Sequence, residues 1–180
     1  MKLDIHTHVL PGNLPNLNEK FGYPGWISIE PDEDPNYANM WKGDQFFRKI
    51  NKNCWCLNER SKDMSKVKVD TQILSTVPVM FNYWAKPEDT NTLSKIINDD
   101  MASQIREFRN KSEIERDGKD FYGFGTLPMQ SPELAVEEMT RCCKDLGFKG
   151  IQIGTHINDW NLDQKDLYPI WKVSNFMLFK

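Results

Sequence analysis

The sequence has no long apolar run, no large excess of charge and no cysteine spacing typical of a metal or redox motif. Its 180 residues carry 23 Lys and Arg against 26 Asp and Glu, and the net charge of -3 argues against nucleic acid or an anionic membrane surface as a partner. No stretch approaches the roughly 20 apolar residues of a transmembrane helix, and no apolar signal-peptide region follows residues 1–6. We therefore expect a cytosolic (cytoplasmic) protein that binds neither nucleic acid nor membrane.

Cysteine is scarce, and its spacing excludes the common cysteine sites. Cys54 and Cys56 form C-x-C, and Cys142 and Cys143 are adjacent. Neither spacing matches a zinc ribbon or a thioredoxin-like pair. Cys142 and Cys143 fall on the apolar stripe of a predicted helix, so we expect them to be reduced and buried.

Strand and helix patterns alternate along the chain. Predicted strands cover 3–9, 69–77, 121–127 and 150–155, and predicted helices cover 57–67, a stretch starting at 87, 132–146 and 162–173. This alternation predicts an α/β fold with a parallel sheet. We predict one domain over 1–180, with an aromatic, turn-rich insertion at about 13–53 that contains two short strands, 26–29 and 45–48.

Other local expectations follow from composition. Residues 109–120 are nearly all polar, which predicts a solvated loop or a helix extension. Ser131 is a candidate cap for the helix that begins at Pro132. The aromatic residues Trp26, Trp84, Phe46 and Phe47 are expected to serve in packing.

The strongest chemical signal is the pair His6 and His8 near the end of the first strand. Strict alternation predicts that they share a face with Asp4, whereas Leu3, Ile5 and Thr7 face the other way. Residues two apart on a strand have Cα atoms about 6.6 Å apart, so both imidazoles can reach one cation. The pair is a predicted metal site, because strand ends of this kind face the active site in barrels.

Three other residues are weaker candidates. His156 follows the fourth predicted strand and so lies near the same rim; a metal ligand, a catalytic acid and a polar loop residue are all open, and we favour the last. Lys42 and Arg48 lie in the insertion, where a guanidinium fork suits a carboxylate. Taken alone, their positions are also those of ordinary solvated cations.

Several ordered motifs resemble one family. They are M-K-L-D-I-H-T-H at 1–8, F-G-Y at 21–23, N-C-W at 53–55, L-S-T-V-P-V-M-F-N-Y-W-A-K-P-E-D-T at 74–90, G-T-L-P-M-Q at 125–130, P-E-L-A-V at 132–136 and I-Q-I-G-T-H at 151–156. Together they resemble the 2-amino-3-carboxymuconate-6-semialdehyde decarboxylases of the amidohydrolase superfamily, over residues 1 to about 171. The resemblance implies the first half of a metal-dependent (β/α)8 TIM-type barrel.

The resemblance also implies a chemistry. It implies a decarboxylase of tryptophan and kynurenine catabolism that limits quinolinate formation. It also implies Zn2+ as the cofactor and a homodimeric assembly. By resemblance, His6 and His8 are zinc ligands, and Arg48 and Lys42 bind the small-molecule carboxylate substrate. A bound zinc lowers the pKa of its water to about 7, which favours attack on the substrate.

One departure from the family concerns length. A (β/α)8 barrel takes about 250 residues, and the family's later histidines and aspartate have no counterpart here. We therefore expect a chain truncated after about four βα units, inactive alone, and either poorly stable or associating through open strand edges. The alternatives are another hydrolase or decarboxylase of the superfamily, and a non-catalytic half-barrel that associates with full-length subunits. The position of Arg48 relative to His6 and His8 is the feature that discriminates between substrates.

Overall fold

The structure is a parallel sheet flanked by helices, with a second, antiparallel sheet inserted after its first strand. This computed structural model describes residues 1–178, with side chains as far as residue 175. The strands are β1 (Leu3–Val9), β2 (Ile27–Pro31), β3 (Tyr37–Lys42), β4 (Gln45–Asn51), β5 (Thr71–Thr76), β6 (Asp120–Gly125), β7 (Gly150–Ile151), β8 (His156–Ile157) and β9 (Trp160–Asn161). The α-helices are α1 (Leu17–Phe21), α2 (Leu57–Lys66), α3 (Pro87–Arg109), α4 (Glu113–Arg116), α5 (Pro132–Lys144) and α6 (Tyr168–Leu178).

The central sheet has the strand order β1-β5-β6-β7, and each neighbouring pair is parallel. Helices separate these strands along the chain. Each strand of this sheet pairs with the strand of the same sheet that follows it in the sequence. Successive parallel neighbours joined by helices form the arrangement of a partial α/β barrel. The expectation of an α/β fold with a parallel sheet is confirmed.

The insertion forms a three-stranded antiparallel sheet in the order β2-β3-β4. Strands at 26–29 and 45–48 were expected, and β2 and β4 are found there with later ends. The middle strand, β3, was missed. Its residues include Ala38, Asn39 and Met40, which have weak strand preference. The side chains of Ala38 and Met40 are buried, so packing rather than local preference stabilises this strand.

The two long helices follow their apolar stripes. On α3 the stripe at three- and four-residue spacing is buried throughout: Leu93, Ile97, Met101, Ile105 and Phe108. On α5, Cys142 is buried and Cys143 is half-buried, and both thiols are free. The expectation of two fully buried cysteines is therefore right for Cys142 and too strong for Cys143.

Four local expectations need correction. Residues 109–120 contain the short helix α4, which begins with a capping box between Ser112 and Glu115. The side chain of Ser131 makes no capping hydrogen bond to α5. The fourth parallel strand, β7, pairs over two residues only. The last helix begins at Tyr168, since Pro169 fits its first turn rather than its middle.

The face of β1 opposite the histidines is less buried than strict alternation predicts. Leu3 and Ile5 are 46% and 64% exposed, while Thr7 and Val9 are buried. A register shift against β5 lies between Asp4 and Thr7, and β1 is an edge strand of its sheet. Packing therefore begins only after this bulge, at the end of the strand that carries the histidines.

The four aromatic residues expected to serve in packing differ in how deeply they are buried. Trp26 is 1% exposed and lies in the apolar core between the insertion and α3. Trp84, Phe46 and Phe47 are about half exposed, but Trp84 packs against Trp26 with ring centroids 5.1 Å apart, and Phe46 packs against Trp41 at 5.3 Å. Among residues 1–178, no helix has both the length and the apolar character needed to cross a membrane.

A buried polar network joins α3, α5 and the end of β6. The fully buried Asn98 accepts a hydrogen bond from the Thr126 N–H at 2.9 Å and donates to the Thr126 carbonyl at 2.9 Å. It also donates to Glu138 at 2.7 Å, and Glu138 receives two hydrogen bonds from Arg141 at 2.8 Å. The network satisfies backbone groups beyond the end of β6 that no neighbouring strand pairs.

We expect Asn98→Ala to lower the free energy of unfolding by about 2–4 kcal/mol, because each buried polar group without a partner costs about 1–3 kcal/mol. Urea denaturation followed by circular dichroism measures this change. Lys95→Ala, at an exposed position of the same helix, is the matched control and should change stability by less than about 0.5 kcal/mol. Equal midpoints for the two variants would contradict the role given to Asn98.

Candidate metal and active site

His6 and His8 meet at the carboxyl half of β1. Their ring centroids are 5.0 Å apart and the ring planes are inclined at 82°. Two imidazoles this close, from alternate residues of one strand, have the separation needed to reach the same cation. The structure therefore brings together the pair that the sequence predicted as metal ligands.

Burial and charge favour the neutral form of His8. Desolvation lowers the pKa of the half-buried His8, and the neighbouring His6 lowers the same pKa further. Hydrogen bonding to the backbone of Thr76 and Ser75 acts in the opposite direction. A neutral imidazole has a free lone pair, which is the form that a metal ligand requires.

The end of β1 is held in place by a half-buried arginine. The guanidinium of Arg60, on α2, donates to the carbonyl of His8, and its Nε donates to the carbonyl of Asn53 at 3.0 Å. Its third contact is Gln72 on β5, at 3.4 Å. Arg60 thus links β1 to the segment that follows β4. Sequence patterns gave no signal for its contact with β1, because His8 lies 52 positions away along the chain.

Arg48 and His8 line one cavity of about 530 Å³. Arg48 reaches it from β4, where its side chain is exposed, and Val77 and Val79 form part of the apolar wall. Cys54 lies in the same lining. The insertion therefore places a cation and a candidate metal ligand around one space of a size suited to a small molecule.

Lys42 lies in a different cavity. That cavity has a volume of about 590 Å³, and its lining includes His6, Lys42, Tyr83 and His156. Lys42 and Arg48 thus belong to one β-ribbon but line two spaces, one with His6 and the other with His8. Because the rings of His6 and His8 are neighbours, both cavities adjoin the candidate metal position.

His156 lies near this rim, as its sequence position predicted. It is exposed, belongs to the short strand β8, and has its Nδ1 at 3.2 Å from the hydroxyl of Thr155. A shared cavity with His6 leaves its role open between ligand, acid and polar loop residue.

Tyr83 is a buried tyrosine in the wall of the His6 cavity. It is 8% exposed, its ring stacks on Phe81 at 5.5 Å, and its hydroxyl accepts the Gly154 N–H at 3.1 Å. Burial raises the pKa of Tyr83 to about 12. Sequence reasoning did not single out this residue, since a tyrosine in a loop has no periodic signal.

The residues present fit part of a zinc site. Imidazole nitrogens are common ligands of zinc, and His6 and His8 supply two. Within the described part of the chain, no group of three or more His, Cys, Asp or Glu side chains is arranged to hold a metal ion. The structure thus provides a two-imidazole fragment of a site rather than a closed cage.

Comparison with known proteins identifies the class. A family model described as "Amidohydrolase" matches residues 3–175. The chain therefore belongs to the amidohydrolase family. It is 44% identical over 172 residues to the 2-amino-3-carboxymuconate-6-semialdehyde decarboxylase of Dictyostelium discoideum, and 35% identical over 192 residues to that of Caenorhabditis elegans. Each match covers 96% of this chain and 45% of the relative, so the chain spans about half the length of these curated relatives.

A solved structure shows the same fold. A dihydroxybenzoic acid decarboxylase from Polaromonas, with bound manganese, matches with a TM-score of 0.67 and 23% identity. The match covers 98% of this chain and 46% of that one. At this identity the likeness supports the partial α/β barrel alone.

The pKa of Tyr83 predicts a loss of stability at high pH. Between the ordinary value of 10.0 and about 12, the unfolded chain releases this phenolic proton and the folded chain keeps it. The folded state then binds more protons, so stability falls as pH rises through this window, by at most about 2.7 kcal/mol at ~1.36 kcal/mol per pKa unit.

Urea denaturation at a series of pH values measures this fall. Tyr83→Phe removes the phenol, so its stability should decline less steeply over the same window, whatever its stability at neutral pH. Parallel declines for the two proteins would show that Tyr83 ionises as easily in the folded state as in the unfolded one.

Proposed function

We propose that this chain belongs to a zinc-dependent decarboxylase of 2-amino-3-carboxymuconate 6-semialdehyde, acting in the cytosol in tryptophan and kynurenine catabolism and limiting quinolinate formation. The observation that carries the proposal is the pair of neighbouring imidazoles, with ring centroids 5.0 Å apart, beside a cavity that Arg48 also lines. Identities of 44% and 35% to decarboxylases of this name support the choice of substrate.

In this proposal His6 and His8 hold the zinc ion. Zinc prefers four ligands, so the remaining positions are filled by groups other than these two imidazoles, water among them. When bound, the metal supplies a Lewis acid that lowers the pKa of water and stabilises developing negative charge. The neutral state of His8, favoured by burial, keeps a lone pair available without competition from a proton.

Arg48 holds the carboxylate substrate. Its guanidinium presents parallel N–H donors that match two carboxylate oxygens, which fixes the orientation of the acid as well as its position. Val77 and Val79, in the wall of the same cavity, exclude part of the water and strengthen this charge pairing. Lys42 supplies a second cation from the adjoining cavity, on the side of His6.

The proposal extends to organisation and partners. The segment 1–180 forms one domain, with residues of about 13–53 as an insertion that carries both cations. The partner is a small-molecule carboxylate, and no nucleic acid or membrane surface takes part. A homodimer is the expected assembly, as the family resemblance implies.

We expect His6→Asn and His8→Asn each to raise the dissociation constant for zinc at least about tenfold, because each removes one of a small number of ligands. Competition with a chromophoric chelator measures the constant without an activity assay. His156→Asn is the matched control for the loss of a histidine, and an unchanged constant in this variant would leave His156 outside the metal site. If only the control variant lost zinc binding, the result would contradict the placement of the metal site on β1.

We expect Arg48→Lys to lower kcat/KM for 2-amino-3-carboxymuconate 6-semialdehyde about 10- to 100-fold, because a hydrogen bond to a charged group is worth about 1.5–3 kcal/mol. The assay uses the protein that contains this chain and follows loss of substrate absorbance, with zinc content measured in parallel. Arg106→Lys, on the surface of α3, is the control and should retain activity.

Two outcomes would change the assignment. Unchanged kcat/KM in Arg48→Lys would remove this arginine from the substrate site. A protein that binds zinc and decarboxylates hydroxybenzoates, but leaves the muconate semialdehyde intact, would keep the family and overturn the substrate.

A further inference from the structure

Ser75 makes two hydrogen-bond contacts to the strand that carries the histidines. It lies in β5, directly opposite His8 in the parallel pairing, and is 5% exposed. Its hydroxyl lies 3.0 Å from the carbonyl oxygen of Thr7 and 3.2 Å from Nδ1 of His8. The hydroxyl therefore has two partners on β1, one of them a ring nitrogen of a candidate ligand.

The roles of these two contacts follow from counting hydrogens. A serine hydroxyl has one hydrogen to donate and two lone pairs to accept. The Thr7 carbonyl can only accept, so the serine hydrogen is used there. At Nδ1 of His8 the serine oxygen must then accept, which requires a hydrogen on Nδ1.

We propose that Ser75 is a positioning residue that fixes the Nδ1–H tautomer of His8 and so assigns Nε2 as the metal-binding nitrogen. The inference rests on the proposed function, since it names the atom that the proposed metal would bind. A neutral imidazole carries one hydrogen, and placing it on Nδ1 leaves the lone pair on Nε2. A fixed second partner also sets the ring orientation and raises the basicity of the ligand nitrogen.

The strand register makes this contact specific. Leu74, next to Ser75, is fully buried in the helix-facing core, so a slip of β5 by one residue would turn a leucine toward His8 and the serine into the core. Thr7 is also tied to β5, because its hydroxyl donates to the carbonyl of Ile73 at 2.8 Å. The strand register therefore keeps Ser75 on the same face of the central sheet as His8.

Nitrogen-15 NMR of the metal-free chain, labelled at histidine, tests the tautomer directly. Long-range proton–nitrogen correlations distinguish a protonated Nδ1 from a protonated Nε2, and His8→Asn identifies which signals belong to His8. We expect Nδ1 protonated and Nε2 unprotonated at a pH where His8 is neutral. A protonated Nε2 in the wild-type chain would overturn the proposal, whatever any variant does.

Two variants then separate the role of Ser75 from general stability. Ser75→Ala should give a mixture of His8 tautomers and raise the zinc dissociation constant about 10- to 100-fold, the usual effect of removing such a partner. Ser94→Ala removes another buried serine hydroxyl, on α3, and should change neither measurement. Unchanged tautomer and affinity in a folded Ser75→Ala would show that Ser75 does not position the ring.

The two readouts also separate this inference from the proposed function. Zinc binding and decarboxylation that survive unchanged in Ser75→Ala would leave the proposed function standing and remove the positioning role. If the longer protein that contains this chain holds the Nδ1–H tautomer but binds no zinc, the tautomer role of Ser75 would stand and the proposed function would be removed.

Discussion

The parallel pairing of β1 with β5 is the interaction on which the candidate site depends. It sets His8 opposite Ser75 and brings the end of β1 under the core formed by Leu74, Val9 and the helices. A strand at the edge of a sheet has one row of backbone partners only, so the direction of its side chains is set by that single neighbour. The 5.0 Å separation of the two imidazoles is a consequence of this pairing and of the two-residue period of a strand.

The insertion contributes Arg48 to the cavity that His8 lines. Its antiparallel sheet packs through Met40 and Ile50 onto the apolar core, which leaves the exposed side chain of Arg48 at the cavity that His8 lines. Arg60 connects the two structures, because one guanidinium binds carbonyl groups of both β1 and the segment after β4. In the proposed site, the cation for the substrate is thus carried by the inserted antiparallel sheet, whereas the candidate metal ligands are carried by the central sheet.

The sequence predicted the parts of the fold that depend on periodicity. The α3 stripe from Leu93 to Phe108 is buried as expected, because five apolar residues on one helix face specify burial without any partner being known. Short and irregular elements were less predictable. β3 has weak strand preference and α4 lies in a polar segment, so their structure comes from neighbouring strands and from a local capping box. Leu3 and Ile5 are exposed on an edge strand whose register shifts between Asp4 and Thr7, and no alternation rule could show this.

By itself, the sequence determined the α/β class, the pairing of His6 and His8 on one face, and the family motifs, since each depends on residues close together along the chain. Only the tertiary structure decided that Arg48 shares a cavity with His8 while Lys42 shares one with His6. It also decided that Arg60 and Ser75 hold the end of β1. These contacts join residues that are far apart along the chain, and their geometry is set by packing and strand register, which no local pattern encodes.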